Sequence, residues 1–250
     1  MTIRSRIAFA AAVSLALAGA APAVAQSFSA DQREEIGKII KDYLLTHPEV
    51  MQDVMAELEK RQQSADAEKH RAAVVENKTT LFSSPHQVVL GNPQGNVTMV
   101  EFFDYNCGFC KRAMTDMLDL IKTDNNLKFV LKEFPVLGEG SVEAARVAVA
   151  ARMQDANGKK YIEFHQKLLG SRGAADKMRA LAVAKEVGFD MPRLERDMGS
   201  DDVKKTIEEN MKLAEALGVN GTPSYVVGEE VVIGAVGLDT LREKISAERK

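Results

Sequence analysis

The spacing of apolar residues changes along the chain and divides it into regions of different predicted structure. From Ser29 to about Lys78, apolar residues recur every three or four positions, which predicts helices. From Gln87 to Phe134, two runs of mostly apolar residues flank another stretch of helical spacing, which predicts strand, helix and strand. We therefore expect a helical region followed by an α/β domain.

The helical region has two predicted starts, because Ser29 and Thr46 each begin a pattern typical of a capping box. The two helices would meet near Pro48, and the first would carry an apolar face that includes Ile36 and Ile40. A short helix cannot cover such a face alone. Two interpretations remain open: the arm folds back on its own chain, or residues 29–75 join copies of the chain into a dimer or trimer.

The remaining elements form a regular series. We expect region boundaries at 26–78 for the helical region, 79–87 for a linker and 88–250 for the α/β domain, with only helices between about 141 and 218. The predicted strands are 87–90, 97–103, 127–134, 224–227 and 231–235, and the predicted flanking helices are 107–122 and 238–248. The unit from 97 to 134 is a βαβ unit, typical of a sheet covered by helices on both faces.

The N-terminus has the pattern of a cleaved secretory signal peptide. Arg4 and Arg6 precede an apolar run, and Ala23-Val24-Ala25 follows as a small-residue cleavage site. We expect cleavage near Ala25, so that residues 1–25 are lost. No other run reaches the roughly 18 apolar residues of a membrane span. The sequence therefore predicts a soluble, exported protein, with the bacterial periplasm as the expected compartment.

Charge and aromatic content bear on the kind of partner that the protein could bind. The formal net charge is -3 and aromatic residues make up 6% of the chain. Nucleic-acid binding domains usually carry a basic face, often with aromatic residues for stacking. The sequence therefore indicates neither nucleic acid nor a membrane surface as a partner.

The candidate chemistry lies in the only two cysteines, Cys107 and Cys110, which follow the strand 97–103 and begin the next helix. Unpaired N–H groups and the helix dipole stabilise a negative charge at a helix N-terminus. We therefore expect Cys107 to hold a substantial thiolate fraction at neutral pH and to act as the nucleophile. Cys110, one turn further on, would stay protonated until it resolves a mixed disulfide.

Two other interpretations of the cysteine pair are weaker. A structural zinc site needs further ligands, and His47, His70, His86 and His165 are not at the spacing of such sites. A structural disulfide across two residues closes too small a loop to stabilise much. We expect no resident cofactor or metal, although two thiolates could hold Cu(I) as a secondary property.

The order of these elements, with Gly221-Thr222-Pro223 before the last hairpin, resembles that of the DsbA-like thiol:disulfide oxidoreductases over about residues 88–250. The segment from Asp42 to Val50 resembles the N-terminal helical region of the ScsC-type branch of that family. The resemblance implies a thioredoxin fold with a helical insertion. It also implies a cis bond between Thr222 and Pro223, which would lie against Cys107 and, with Gly108 and Phe109, contact the substrate.

Glu101 is an unusual residue for a buried strand, because an unpaired carboxylate in such a position is expensive. Acidic residues at this spacing before the first cysteine occur in thioredoxin-fold enzymes. The resemblance thus suggests that Glu101 assists proton transfer from Cys110, with Lys132 as a charge partner across the sheet. The alternative is a carboxylate at the strand end that reaches water.

The sequence therefore predicts a thiol:disulfide interchange enzyme for exported proteins that contain cysteine, recharged by a membrane-bound or periplasmic redox partner. Gly108 and Phe109 offer no side chain that could hydrogen-bond the Cys107 sulfur, which favours a disulfide isomerase or reductase. A DsbA-type oxidase is the alternative enzyme. A copper-binding or chaperone-like protein is the alternative from another class.

Overall fold

The computed structural model of the chain describes residues 28–155 and 158–250. The predicted signal peptide lies outside the described residues. The chain divides into two compact units, one ending at Leu58 and the other comprising Glu59–Lys250.

The first unit contains α1 (Ala30–Thr46) and the beginning of α2 (Glu49–Glu76). The predicted capping box at Ser29 is confirmed, since Ser29 Oγ accepts from the Gln32 N–H at 3.2 Å and Gln32 Oε1 accepts from the Ser29 N–H at 2.9 Å. The capping box predicted at Thr46 is wrong. The Thr46 hydroxyl donates back to the Asp42 carbonyl at 2.7 Å, because it belongs to the last turn of α1.

The apolar face of α1 is exposed to solvent. None of the 17 residues of α1, all within the described part of the chain, is buried. Ile39 is 61% exposed and Leu45 is 70% exposed. The other large apolar side chains exposed on α1 and the beginning of α2 are Ile36, Ile40, Tyr43, Met51, Val54, Met55 and Leu58. This set is called the apolar arm below, and its contacts remain a prediction.

The second unit begins within α2 and contains a five-stranded sheet with helices on both faces. In chain order it contains α3 (Lys78–Ser83), β1 (Val88–Gly91), β2 (Val97–Phe103), α4 (Gly108–Thr123), β3 (Leu127–Glu133), α5 (Glu139–Arg152), α6 (Lys159–Leu169), α7 (Lys177–Val187), α8 (Met191–Asp197), α9 (Asp201–Ala216), β4 (Ser224–Val227), β5 (Glu230–Ile233) and α10 (Leu238–Glu248). The predicted α/β class with a helical insertion is confirmed. The boundaries of β2, β4 and α10 are as the sequence predicts.

The strands have the order β1-β3-β2-β4-β5. β2 and β3 are parallel, with Val97 opposite Leu127, and the other neighbouring pairs are antiparallel. The two central long strands are therefore joined by α4 as the predicted βαβ unit. This connection places the end of β2 and the beginning of α4 at one edge of the sheet.

Alternate residues of β2 enter two different apolar cores. Met99 and Phe103 pack in the larger core, which includes side chains of α4 to α7 and α10. Val100 and Phe102 pack in the smaller core, which includes Leu81 of α3 and side chains of α9. Both faces of the central strand are therefore dry, as expected when helices cover both sides of a sheet.

Part of the predicted linker is a helix. Residues 78–83 form α3, in which Leu81 is fully buried. The ammonium of Lys132 donates to the Thr80 carbonyl at 2.9 Å, and that of Lys128 donates to the Phe82 carbonyl at 2.8 Å. These bonds satisfy carbonyls that a helix leaves unpaired near its C-terminus. The segment is thus attached to the sheet.

Candidate active site

Cys107 is the N-cap residue of α4, where the chain leaves β2 through a short turn. Its backbone is extended, and its sulfur accepts from the Cys110 N–H at 3.4 Å. An N-cap side chain points at N–H groups that have no partner within the helix. The predicted position of Cys107 at the start of the helix is therefore confirmed.

Thr222 and Pro223 approach Cys107 from the loop before β4. The Cys107 thiol donates to the Thr222 carbonyl at 3.1 Å, although 115 residues separate them in the sequence. The bond between Thr222 and Pro223 is cis, as the resemblance implied. The two cysteines are free thiols, so the arrangement is that of the reduced protein.

Exposure distinguishes the two cysteines from the residues between them. Cys107 is 5% exposed, whereas Cys110 is fully buried beneath it. Gly108 is exposed, and the Phe109 side chain is 57% exposed, with the Arg112 guanidinium 4.4 Å from its ring centre. The first turn of α4 therefore presents a flat aromatic surface next to the first sulfur.

Burial also affects the chemistry of the Cys110 thiol. The pKa of the Cys110 thiol is raised strongly, first by burial and then by the charge of Glu101. A hydrogen bond from the backbone of Asp104 acts in the opposite direction. Cys110 is therefore held as a thiol, as the sequence analysis expects of the second cysteine.

Glu101 lies in the middle of the sheet, opposite Leu131 on one side and Tyr225 on the other. It is 3% exposed, so the alternative of a carboxylate that reaches water is wrong. Burial raises the pKa of Glu101 to about 8, and the charge of Asp116 on α4 adds to the shift. Near neutral pH both protonation states are therefore within reach.

The predicted pairing of Glu101 with Lys132 is wrong. Lys132 lies opposite Phe102, one position further along β2, and successive side chains of a strand point to opposite faces. Its ammonium therefore lies in the other core, where it meets the Thr80 carbonyl. Burial lowers the pKa of Lys132 to about 8.

Asp104 is a site residue that the sequence analysis missed. It is buried, and its carboxylate accepts hydrogen bonds from the N–H groups of Val136 and Leu137 at 2.9 and 3.0 Å. Its backbone carbonyl accepts from the Cys107 N–H at 3.1 Å. The only signal in the sequence is an acidic residue directly after a buried strand, which many unrelated turns share.

A second buried polar cluster lies behind the active-site turn. The Tyr105 hydroxyl is 3.3 Å from both the Tyr161 hydroxyl and His165 Nδ1, and the Tyr161 hydroxyl donates to the Glu133 carboxylate at 2.7 Å. Burial lowers the pKa of His165 to about 3, so its ring is neutral. The His165 ring packs against that of Phe103, which it meets edge-on at 4.8 Å.

The described residues contain neither a cluster of metal-ligating side chains nor a membrane-spanning helix. Within residues 28–155 and 158–250, no cluster of three or more histidine, cysteine, aspartate or glutamate side chains has the arrangement of a metal site. Over the same ranges, no helix has both the length and the apolar character needed to cross a bilayer.

Comparison with known families gives two matches. Residues 98–246 match the family of DSBA-like thioredoxin domains. Residues 32–65 match the N-terminal domain of the copper resistance protein ScsC. The two matches fall on the α/β domain and on the helical region before it.

Solved structures support the same assignment. A thioredoxin-like oxidoreductase from Silicibacter pomeroyi is 46% identical and covers 69% of this chain and 98% of its own, with a TM-score of 0.66. A linker-deleted variant of ScsC from Proteus mirabilis is 22% identical and covers 90% of this chain and 99% of its own, with a TM-score of 0.68. At that identity, the second likeness concerns the fold alone.

Two curated relatives differ in how much of their length is matched. Disulfide bond formation protein D of Bacillus subtilis is 25% identical over 174 residues, which cover 66% of this chain and 78% of the relative. The Na(+)/H(+) antiporter NhaA of Herminiimonas arsenicoxydans is 25% identical over 163 residues. The match spans only 25% of that antiporter, so the likeness concerns one part of it.

Proposed function

Because the chain belongs to the family of DSBA-like thioredoxin domain proteins, we propose that it is a periplasmic thiol:disulfide interchange enzyme acting on exported proteins that contain cysteine. One observation carries the proposal. The Cys107 sulfur lies at the N-terminus of α4, 3.4 Å from the Cys110 N–H, with the second thiol buried directly beneath. This arrangement suits one attacking and one resolving cysteine.

In the first step, the Cys107 thiolate attacks one sulfur of a substrate disulfide. A bond forms between Cys107 and that sulfur, the substrate S–S bond breaks, and the other substrate sulfur leaves as a thiolate. The N–H groups of the first turn of α4 stabilise the negative sulfur before the attack. When Cys107 is protonated, its thiol donates a hydrogen bond to the Thr222 carbonyl at 3.1 Å, which orients the side chain.

In the second step, Cys110 attacks Cys107 and releases the substrate. Cys110 first loses its proton, and we assign its acceptance to the Glu101 carboxylate. A disulfide then forms between Cys107 and Cys110, while the bond to the substrate breaks and the substrate leaves as a thiolate that takes a proton from water. With its pKa near 8, Glu101 is an adequate base for this proton.

The surface around Cys107 suits an extended substrate segment. The exposed ring of Phe109 and the backbone of Gly108 flank the sulfur on α4, and Thr222 and Pro223 flank it on the opposite side. We assign these residues to substrate binding. The aromatic ring favours apolar side chains next to the reacting cysteine.

Isomerase or reductase activity is the preferred form of this function. The side chain of Phe109 and the hydrogen of Gly108 cannot donate a hydrogen bond to the Cys107 sulfur. Less stabilisation of the thiolate makes a disulfide less oxidising. A DsbA-type oxidase is the second candidate, favoured by the likeness to disulfide bond formation protein D.

Refolding of a test protein distinguishes the two activities. We expect the wild-type enzyme to restore the activity of a test protein whose disulfides have been scrambled. The Cys107→Ser variant should not restore it. Recovery only from the fully reduced substrate would reject isomerisation and favour the oxidase. Activity that is undiminished in Cys107→Ser would reject the dithiol mechanism altogether.

We further propose a division of the chain that fits this function. Residues 1–25 would direct export and be removed, and residues 26–78 would carry the self-associating helices. Residues 79–87, which include most of α3 and its buried Leu81, would lead from these helices into the catalytic domain 88–250. The apolar arm supports a dimer or trimer, because exposed apolar surface of this kind usually finds a partner. A membrane-bound or periplasmic redox protein would restore the starting state of the dithiol.

A further inference from the structure

Asn106, the residue directly before Cys107, makes an unusually complete set of side-chain hydrogen bonds. Its Oδ1 accepts from the Ala175 N–H at 2.7 Å, and its Nδ2 donates to the Ala175 carbonyl at 2.9 Å. The amide thus pairs with both backbone groups of one residue, as a neighbouring strand would. Ala175 is itself buried, in the segment that precedes α7.

The same amide also reaches a third segment. Asn106 Nδ2 donates to the Ser141 hydroxyl at 2.9 Å, and that hydroxyl donates to Asp104 Oδ1 at 2.7 Å. Asp104 Oδ1 accepts in turn from the Asn106 N–H at 2.7 Å. Since Ser141 and Asp104 are both buried, water does not compete for these bonds.

Close packing restricts the network to this geometry. A Cβ atom added at Gly140 would lie 3.3 Å from the Ala175 carbonyl oxygen and 3.9 Å from Asn106 Nδ2. Glycine therefore allows the first turn of α5 to approach the segment at residue 175. The Asn106 side chain bonds both α5, through Ser141, and the segment at Ala175, so it has little conformational freedom.

As a thiolate, the Cys107 sulfur keeps only one of its two hydrogen bonds, because the bond to the Thr222 carbonyl requires the thiol proton. Its bond from the Cys110 N–H is 3.4 Å long and involves sulfur, a weak acceptor. The Cys107 N–H donates to the carbonyl of Asp104, which belongs to the network. The position of the sulfur at the helix terminus therefore depends on how firmly residues 104–106 are held.

We propose that Asn106 is a positioning residue, which, through Ala175, Ser141 and Asp104, keeps the Cys107 sulfur at the N-terminus of α4 and thereby stabilises the reduced dithiol. The inference rests on the proposed function, because it requires Cys107 to be the reacting sulfur. A merely structural role of Asn106 would stabilise the fold and leave the dithiol equilibrium unchanged.

The equilibrium with glutathione tests this proposal. In Asn106→Ala we expect the constant for reduction of the Cys107–Cys110 disulfide by glutathione to fall about three- to tenfold, or about 15 to 30 mV for a two-electron couple. The reduced form loses stability because the sulfur spends less time near the N–H groups of α4.

Asn92→Ala is a matched control. Asn92 Nδ2 also donates to a distant backbone carbonyl, that of Asn125 at 2.9 Å, and Asn92 Oδ1 accepts from the Gln94 N–H. These bonds lie in the turn before β2, whereas Cys107 follows the other end of that strand, and they touch none of the residues of the network. We expect this variant to lose some thermal stability and to keep the wild-type equilibrium constant.

Ser141→Ala keeps the proposal testable should Asn106→Ala not fold. It removes the hydroxyl between Asn106 and Asp104, so we expect a fall of the same sign and smaller size. A wild-type equilibrium constant in folded Asn106→Ala and Ser141→Ala would overturn the positioning role while leaving the proposed function intact. A wild-type protein that never exchanges with glutathione would overturn the proposed function and this inference with it.

Discussion

Glu101 is a carboxyl group in a position where its charge is costly. It lies in the central strand and is only 3% exposed, and burial raises its pKa to about 8. In the unfolded chain the same group has its ordinary pKa near 4.5. Between these two values the folded protein binds a proton that the unfolded chain releases, so stability falls as the pH rises.

The first prediction concerns this pH dependence. At pH 7, Glu101→Gln should raise the free energy of unfolding above that of the wild type by about 3 kcal/mol, because Glu101 must take up a proton on folding and glutamine need not. Below pH 4.5 the two proteins should be nearly equal in stability. Urea denaturation at pH 4, 6 and 8 measures the difference. A constant difference across this range would mean that Glu101 is not a buried ionisable group.

The second prediction concerns the role of Glu101 in catalysis. A chromogenic thiol bound to Cys107 as a mixed disulfide should be released about 100-fold more slowly in Glu101→Gln at pH 8, because a general base is lost. In the wild type, release should accelerate as the pH passes through about 8. Stopped-flow absorbance follows the release.

Asp239→Asn is a suitable control for that experiment, since it removes a carboxylate that influences Asp116 rather than Glu101 directly. It should release the thiol at nearly the wild-type rate. Equal rates in the wild type and Glu101→Gln would show that another group accepts the proton.

At the scale of residues, the sequence predicted those site residues that lie close to one another along the chain. Glu101 lies in β2, and the two cysteines lie at the start of the helix that follows, so their positions could be read directly. The partners of Asn106 lie 35 and 69 residues away. No local pattern indicates such contacts, because packing of the helical insertion creates them.

At the scale of elements, the boundaries predicted best belong to strands and helices with clear apolar spacing and glycine at their ends. α10 follows Gly237 and β2 follows a turn that contains Gly95, and both start as predicted. α3 was missed, because a helix of six residues has almost no stability by itself. Two of its carbonyls depend for their hydrogen bonds on Lys128 and Lys132, from a strand some fifty positions later in the chain.

The third prediction follows from that dependence. In Lys132→Met, amide hydrogen exchange within α3 should be about tenfold faster or more, because the bond from the ammonium to the Thr80 carbonyl is lost while the side-chain volume is kept. Exchange in β2 should change less. Mass spectrometry of peptides covering residues 78–83 and 97–103 makes the comparison.

Lys204→Met provides the control, since Lys204 lies exposed on α9 and the same change there should leave α3 unaffected. Unchanged exchange in α3 of Lys132→Met would mean that apolar packing of Leu81 holds the helix without the buried ammonium.

At the scale of the whole molecule, the apolar arm is the feature that the fold of a single chain does not explain. Its isoleucines are more than one-third exposed, and burying such a side chain is worth roughly 1.5 to 3 kcal/mol. The sequence predicted the helices that carry these residues. It could not predict which surface packs against them, because helical spacing shows which face of a helix is apolar but does not show what covers that face.

The fourth prediction is that Ile40→Lys lowers the number of subunits of the mature protein in solution. A charge placed at the centre of the apolar face of α1 would lose its hydration in any packed interface. Light scattering coupled to gel filtration measures the mass. Lys41→Ser, a change at the next exposed position, should leave the mass unchanged. A monomeric wild type would contradict self-association and favour the oxidase.

The positions of the tyrosine side chains have a consequence for ultraviolet absorbance measurements on this protein. The chain has no tryptophan and four tyrosines, and Tyr105, Tyr161 and Tyr225 lie inside the catalytic unit. Burial raises the pKa of each of these three phenols above the ordinary value of 10. Alkali should therefore ionise these interior phenols only on denaturation, so the ultraviolet absorbance of tyrosinate reports the unfolding of the native chain without an added label.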